Sequence, residues 1–366
     1  MNKIRFQTDL IRWFNRHKRD LPWRQTKDPY KIWVSEIMLQ QTHVSTVIPY
    51  YQRWIKEFPT PKAVAQASEE KILKAWEGLG YYSRTRNFQN ACREVIEKYN
   101  GKVPDTPEEI QKIPGVGRYT AGAILSIAYD QSVPLVDGNV IRVLSRIFAI
   151  RKNPKTNVET FWKLAESLVP KEHAGDFNQA LMELGATLCT PVNPSCLICP
   201  VQNFCQAKKQ GIQDQLPVSS KRAKTQIVHL ASALIHQNGK ILLCQRKETG
   251  HLKGMWEPPT FPVQKEDNFQ EKLVDFLQKN GFKTVVSENS VSLQTSRLHF
   301  RLQFQLFQVK LMNQVNPPFP IFHFPFSIFH KQLGYPSDLR HSQWVSKEKL
   351  KNLPMPGIWA KFFIRH

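Results

Sequence analysis

A chain of 366 residues with 51 lysines and arginines against 30 aspartates and glutamates has a formal net charge of +21 and a pI near 9.8. Its 41% of apolar residues is too high for a disordered protein, and its length suits two domains. The positive excess points to a polyanionic partner, nucleic acid before an anionic membrane surface, although a merely soluble basic surface stays open on charge alone.

The N-terminal stretch MNKIRFQTDLIRWFNRHKRD has no uninterrupted apolar run and reads as neither signal peptide nor anchor. No stretch reaches the roughly 18 apolar residues that a membrane helix needs. A cytoplasmic, reducing compartment without a membrane partner is therefore expected, and it disfavours disulfides. Residues 1–206 read as an all-α domain: WVSEIMLQQ, EEKILKAWEGLG, QNACREVIEKYNG, YTAGAILSIAY, NVIRVLSRIFAI and FNQALMELGATL all space apolar residues by three to four. Gly101 predicts a C-terminal stop. Asp105-Thr106-Pro107-Glu108-Glu109 predicts a cap, a first-turn proline and N-terminal acids.

IPGVGRYTAGAI, 113–124, joins two helical segments through two glycines, Gly115 and Gly117, which allow a tight turn with open N–H groups. At the start of a helix such amides suit a phosphate. This is the helix-hairpin-helix pattern, a clamp on the DNA backbone that ignores sequence; an ordinary αα turn is the plain alternative. Further on, Asp137 stands at the entrance to a helix near Asn139, where a simple N-cap would account for it.

The stretch 189–205, CTPVNPSCLICPVQNFC, places Cys189, Cys196, Cys199 and Cys205 at gaps of six, two and five. Disulfides, zinc or an iron–sulfur cluster could use them. Cys92 and Cys244 stand alone in apolar or amphipathic contexts and read as buried structural thiols. Residues 207–226 are polar and basic and read as a linker. From 227 to 366 the period changes to two, giving an α+β domain. VHLASALIHQNGKILLCQR predicts a hairpin turning at Asn238-Gly239. EKLVDFLQKNG predicts a helix ending at Gly281. LHFRLQFQLFQV alternates Leu298, Phe300, Leu302, Phe304 and Leu306 against polar neighbours. The Pro- and Phe-rich stretch 316–330 reads as an irregular loop.

Taken together, the helix-hairpin-helix, an Asp some twenty residues on and the four cysteines resemble the endonuclease III superfamily of DNA glycosylases. That resemblance implies a [4Fe–4S] cluster on the four cysteines. Four thiolates in a reducing compartment suit a cluster, and zinc modules usually pair their cysteines in two close couples. LPWRQTKDPYKIWVSEIMLQQTHVSTVIPYYQRW (21–54), GLGYYSRTRN (78–87) and GHLKGMWEPP (250–259) are similar to the MutY adenine DNA glycosylases, nearly throughout the chain. The implied fold is a helix-hairpin-helix glycosylase domain with an iron–sulfur loop, followed by a Nudix (MutT)-like domain. The Nudix catalytic signature is not found in residues 226–366, so the second domain is expected to bind rather than hydrolyse.

The implied activity is release of adenine mispaired with 8-oxoguanine or guanine. The implied partner is double-stranded DNA carrying such a pair, bound by a monomer in a bacterial nucleoid. The resemblance places Glu36 and Asp137 as catalytic carboxylates, with Tyr119 and Asn139 lining the pocket. Glu36 lies among Trp33, Val34, Ile37 and Leu39, and apolar surroundings raise a carboxyl pKa. Asp137 is expected to stay ionised near helix N–H groups. Gln41, Thr42, Leu79 and Tyr81 are implied to contact or wedge the lesion pair. Bifunctional relatives carry Lys in GVGRKTA where this chain has Tyr119, and the second lysine of some members is Ile141 here, so no lyase activity is expected. Where the family reads the oxidised base with Phe-Ser-His or Phe-Thr-His, this chain has Arg297-Leu298-His299. His299 remains, and Ser296 or Thr295 would have to supply the hydroxyl. An endonuclease III-like enzyme acting on oxidised pyrimidines and a non-catalytic iron–sulfur DNA-binding protein are the alternatives.

Overall fold

A computed structural model describes residues 2–218, 225–246, 252–297, 300–312 and 339–365. The chain divides into two compact units, one of residues 1–67 and 83–221, the other of 68–82 and 222–366.

The first unit is helical: α1 (Lys3–His17), α2 (Pro29–Leu39), α3 (Val44–Glu57), α4 (Pro61–Gln66), α6 (Ser83–Tyr99), α7 (Pro107–Ile110), α8 (Arg118–Tyr129), α9 (Gly138–Ile147), α10 (Val158–Leu168), α11 (Ala174–Thr187) and α12 (Gln206–Lys209). Local chemistry sets many of their ends. Asp28 caps α2 by accepting from the amides of Tyr30 and Lys31, with Pro29 at the first helical position. Thr106 caps α7 in the same way, through Glu109 N. Gly101, at φ +80°, closes α6 through a bond from its amide to Val95 O of 3.0 Å. A surface helix buries one stripe, as α1 does with Phe6, Leu10 and Phe14. By contrast α2 buries every residue from Ile32 to Met38 and so lies in the core, packed on α8 and α3.

The polar stretch 207–226 does not behave throughout as a linker. Ala207, Ile212 and Leu216 are buried, and α12 packs on α9. Arg146 Nε donates to Leu216 O at 3.0 Å. Three widely spaced apolar side chains suffice to anchor a segment whose composition is otherwise hydrophilic.

The second unit contains α5 (Glu69–Ala75), α13 (Phe269–Lys279), α14 (Lys347–Leu350), α15 (Gly357–Arg365) and a mixed sheet. Its strands are β1 (Gln226–Gln237), β2 (Lys240–Arg246), β3 (Trp256–Glu257), β4 (Thr260–Val263), β5 (Thr284–Arg297), β6 (Phe300–Leu311) and β7 (Leu339–Ser346). The order is β3-β2-β1-β6-β5, with β4 beside β1 and β7 beside β2. Strands β1 and β6 run parallel; the other pairs are antiparallel. Asn238 and Gly239, both at positive φ, turn the β1–β2 hairpin. Both faces of the sheet are covered. Leu273, Phe276 and Leu277 of α13 bury one face, and Leu350, Met355, Trp359 and Phe362 bury the other. The alternation of buried and open residues in β6 runs from Phe300 through Leu302 and Phe304 to Leu306. Leu298 and His299, and the stretch 316–330, lie outside the described residues. Ser296 is exposed near the end of β5, paired with Arg301. Cys92 and Cys244 are fully buried, as their contexts predict.

Candidate active site

A cleft of about 1320 Å³ opens in the first unit, lined by residues of α2, α8, α9 and α11 and of the loops before and after α2. Glu36, Gln41, Thr42, Gly115, Gly117, Tyr119, Asp137 and Asn139 all border it, although they are scattered over a hundred residues of sequence. Leu79 and Tyr81 belong to the other unit.

Glu36 comes from the middle of α2 and is 4% exposed. Tyr119, in the first turn of α8, donates its hydroxyl to Glu36 Oε2 at 2.6 Å. Burial pushes the Glu36 carboxyl up to about 7, against the lowering effect of that hydrogen bond; the Asp137 charge raises it and Arg24 lowers it by smaller amounts. The acid is therefore half protonated near neutral pH. With Oε2 occupied by the tyrosine, Oε1 is the oxygen left to carry a transferable proton. The phenol itself is held well above its ordinary range by burial and by the two carboxylates, so it stays a donor.

Asp137 caps α9. Its Oδ1 accepts from Val140 N at 2.7 Å and its Oδ2 from Asn139 Nδ2 at 2.8 Å. The plain N-cap reading is thus correct as geometry, and the same geometry aims an anion-stabilising frame into the cleft. Burial still outweighs these bonds and raises the carboxyl above its ordinary value. Asn139 is oriented in turn by Arg142, whose Nη2 donates to Asn139 Oδ1 at 2.8 Å and to Gly185 O at 2.6 Å, while Nε donates to Cys189 O at 2.7 Å. Arg142 is a member of the site that no motif in the sequence singles out. Its place three residues after Asn139, on the same face of α9, is the signal that could have found it. Gly185 lets α11 approach, because a Cβ there would stand 2.6 Å from Asn139 Cβ.

A third carboxylate, Glu183, also lines the cleft. Glu183 on α11 accepts from Arg19 N, Nε and Nη2 and from Arg24 Nη2, the shortest contacts being 2.7 Å. Burial alone would raise its carboxyl, but the bonds from Arg19 and then Arg24 overcome this and hold it down at about 2. Because the folded value lies below the ordinary 4.5, the stability it contributes is present above that value and is lost as pH falls toward 2. Glu183→Gln is expected to destabilise the protein at pH 7 by about 2 kcal/mol, since it leaves the mostly buried Arg24 and the partly exposed Arg19 without their carboxylate. Urea titrations at pH 7 and pH 3 check this: the gap between wild type and variant should narrow at the lower pH.

At the helix-hairpin-helix, Gly115 adopts φ +79° and Gly117 caps α8 without a side chain bonding to the first-turn amides. Both glycines are exposed, as a phosphate-facing turn requires. After α2, Gln41 is exposed at φ +57°, and Thr42 Oγ1 accepts from Arg84 Nη2 at 3.2 Å. Arg84 Nη1 also binds the carbonyls of Ile37, Met38 and Gln40, which fixes the end of α2. In the second unit, Leu79 is 5% exposed and Tyr81 41%, so only the tyrosine presents a large surface.

The four cysteines of 189–205 are free thiols that line one void between α9 and the loop. Backbone amides of Val201, Ala207 and Lys208 bond the Cys199 and Cys205 sulfurs, and Arg146 Nη1 stands 3.3 Å from Cys189 Sγ. Four thiols lining one void, with N–H groups at three of the sulfurs, suit a thiolate-held [4Fe–4S] group. That group would draw Cys189, Cys196, Cys199 and Cys205 into one loop and supply a redox-capable centre there.

Comparison with known proteins places these features in a family. Residues 34–168 match the HhH-GPD superfamily of base excision DNA repair proteins, 189–205 the iron–sulfur binding domain of endonuclease III, and 231–365 the NUDIX domain. Solved relatives include a thermostable thymine-DNA glycosylase, 30% identical with a TM-score of 0.53 over 57% of this chain and 97% of that one. Another is endonuclease III trapped as a covalent intermediate with DNA, 26% identical with a TM-score of 0.50 over 58% and 99%. The adenine DNA glycosylase of Rattus norvegicus is 40% identical over 73% of this chain and 62% of its own length; that of Homo sapiens is 40% identical over 75% and 61%. The chain thus spans about six tenths of these mammalian proteins. The adenine DNA glycosylase of Buchnera aphidicola subsp. Baizongia pistaciae is 37% identical over 77% of this chain and 80% of its own length. A helix-hairpin-helix domain with an iron–sulfur loop, followed by a Nudix-like domain and related along most of its length to these enzymes, belongs to the adenine DNA glycosylase family.

Proposed function

We propose that the protein is a monofunctional adenine DNA glycosylase of base excision repair, acting as a monomer on double-stranded DNA in the cytoplasm, at adenine opposite 8-oxoguanine or guanine. The observation that carries this is the pair of unlike carboxylates on one cleft: Glu36, buried and held near 7, and Asp137, with a hydrogen-bond donor on each oxygen. Cleaving an N-glycosidic bond builds negative charge on the base and positive charge on the sugar, and an acid and an anion answer those two needs.

The adenine leaves the stack and enters the cleft. Glu36 gives its proton to N7; the C1′–N9 bond breaks and its electron pair stays with the base. Asp137 stabilises the oxocarbenium-like sugar. Water adds at C1′, and the proton that it sheds restores Glu36. Tyr119 keeps Glu36 in place and, lacking an amine, cannot form the Schiff base that a strand-cutting lyase needs. Gly115 and Gly117 hold a DNA phosphate, and Gln41, Thr42, Leu79 and Tyr81 engage the lesion pair. The second domain, without the Nudix signature, binds the partner base, with Ser296 and His299 as its candidate contacts.

A labelled duplex with adenine opposite 8-oxoguanine tests this. The expected product is an abasic strand that breaks only after alkali. Strand cleavage by the protein itself, or preference for oxidised pyrimidines, would favour an endonuclease III-like enzyme. No base release at all would leave only a DNA-binding role.

A further inference from the structure

Residues 68–82 interrupt the helical unit in sequence, yet they fold with the second unit. The joint is made by polar side chains on backbone. Glu77 Oε2 accepts from Met355 N at 3.0 Å. Lys74 Nζ donates to both Glu77 oxygens, at 3.0 and 3.1 Å, and to Leu353 O at 3.2 Å. The Tyr82 hydroxyl donates to Met355 O at 3.5 Å and accepts from Gly78 N at 3.3 Å. The receiving loop is itself anchored, because Pro354 O accepts from Trp256 N at 2.9 Å and the Met355 side chain is 2% exposed in the sheet's core.

Between Glu77 and Tyr82 the backbone is unusual. Gly78, Gly80 and Tyr81 have φ of +99°, +72° and +49°. A left-handed tyrosine is disfavoured by roughly 1–2 kcal/mol and persists only where its surroundings impose it. The bonds just described bracket it on both sides, and Trp76 Nε1 donates to Gly80 O at 3.1 Å.

We propose that Glu77, supported by Lys74, is a positioning residue that fastens the Gly78–Tyr82 turn to the loop Leu353–Met355, so that the Nudix-like unit holds Tyr81 in the conformation that enters the duplex. This rests on the reading of Tyr81 as a residue that contacts the lesion pair. The second domain then contributes to extrusion of adenine itself as well as to reading the opposite base. A displacement of about 1 Å in such a group can slow a reaction up to a hundredfold.

The test is a double-mutant cycle in the full chain with its cluster. Extrusion is read from the fluorescence of 2-aminopurine at the target position opposite 8-oxoguanine, and folding from thermal unfolding. Glu77→Ala is expected to slow extrusion about tenfold. Glu77→Gln, which keeps an oxygen acceptor for Met355 N, should recover most of that rate. In a Tyr81→Ala background, Glu77→Ala should add less than about twofold, since coupled residues do not add. Equal losses from Glu77→Ala with and without Tyr81 would overturn the proposal while leaving Tyr81 its role. A Tyr81→Ala variant that extrudes normally would instead remove the reading beneath it. If Glu77→Ala fails to fold, Lys74→Met, which severs only the link to Leu353 and the ion pair, enters the same cycle with the same criteria.

Discussion

Glu36→Gln is expected to reduce base release by roughly two to four powers of ten while leaving duplex affinity within about threefold. The glutamine has the same shape and can still accept from Tyr119, so the cleft should survive; what disappears is the transferable proton. The pH profile gives a second, independent measurement. The group is active when protonated and its value lies near 7, so kcat/KM should be level below that pH and fall about tenfold per unit above it. Tyr119→Phe should move the falling limb to higher pH, because the hydrogen bond that it removes is one that lowers the Glu36 pKa. Glu36 would lose its role if Glu36→Gln kept the wild-type rate under single-turnover conditions. A falling limb that stays in place in Tyr119→Phe would break the link between tyrosine and acid.

What could be read from the chain alone divides by distance along it. Caps and turns were legible because each is settled within a few residues: Thr106 with Glu109, Gly101 at positive φ, and Asn238-Gly239 in the hairpin. The cleft was legible only in part. Asp137 and Asn139 are two residues apart and share one frame, but nothing local announces that Arg142 joins them to the cysteine loop. Glu183 lies 159 and 164 residues from its arginines, and no spacing rule links such a triad. The burial of Glu36 could be anticipated from its apolar neighbours, since a helix apolar on every side belongs to a core.

The second unit was harder to read for the same reason. Its parallel pairing of β1 with β6 is non-local, and the membership of 68–82 depends on Glu77 finding an amide 278 residues away. A short polar stretch reads as a linker until Ala207, Ile212 and Leu216 find an apolar surface. In β6 the expected alternation is seen at Phe300, Leu302, Phe304 and Leu306. Register is a property of two strands, and one strand's sequence specifies only its own two faces.

Asp137→Asn should silence the enzyme and stabilise the fold. At about 4 Å and an effective dielectric near 20, a carboxylate attracts a developing sugar cation by roughly 4 kcal/mol, worth about three powers of ten in rate. The amide also turns a donor toward Asn139 Nδ2, which now donates to Asp137 Oδ2, so the relay from Arg142 is disturbed as well. Stability moves the other way. Burial raises the Asp137 carboxyl above 3.8, so its charge at neutral pH opposes folding, and stability is lost as pH rises through the ordinary carboxyl range. Asparagine is a good N-cap and carries no charge. The variant should therefore unfold at a higher temperature than wild type at pH 7.5, with the gap closing as the pH falls below 3.8. An anion held at the fold's expense is what its proposed role in the chemistry requires. If Asp137→Asn proved less stable at pH 7.5, Asp137 would be acting chiefly as the cap of α9; if it kept its rate of base release, the anion would not be what stabilises the sugar.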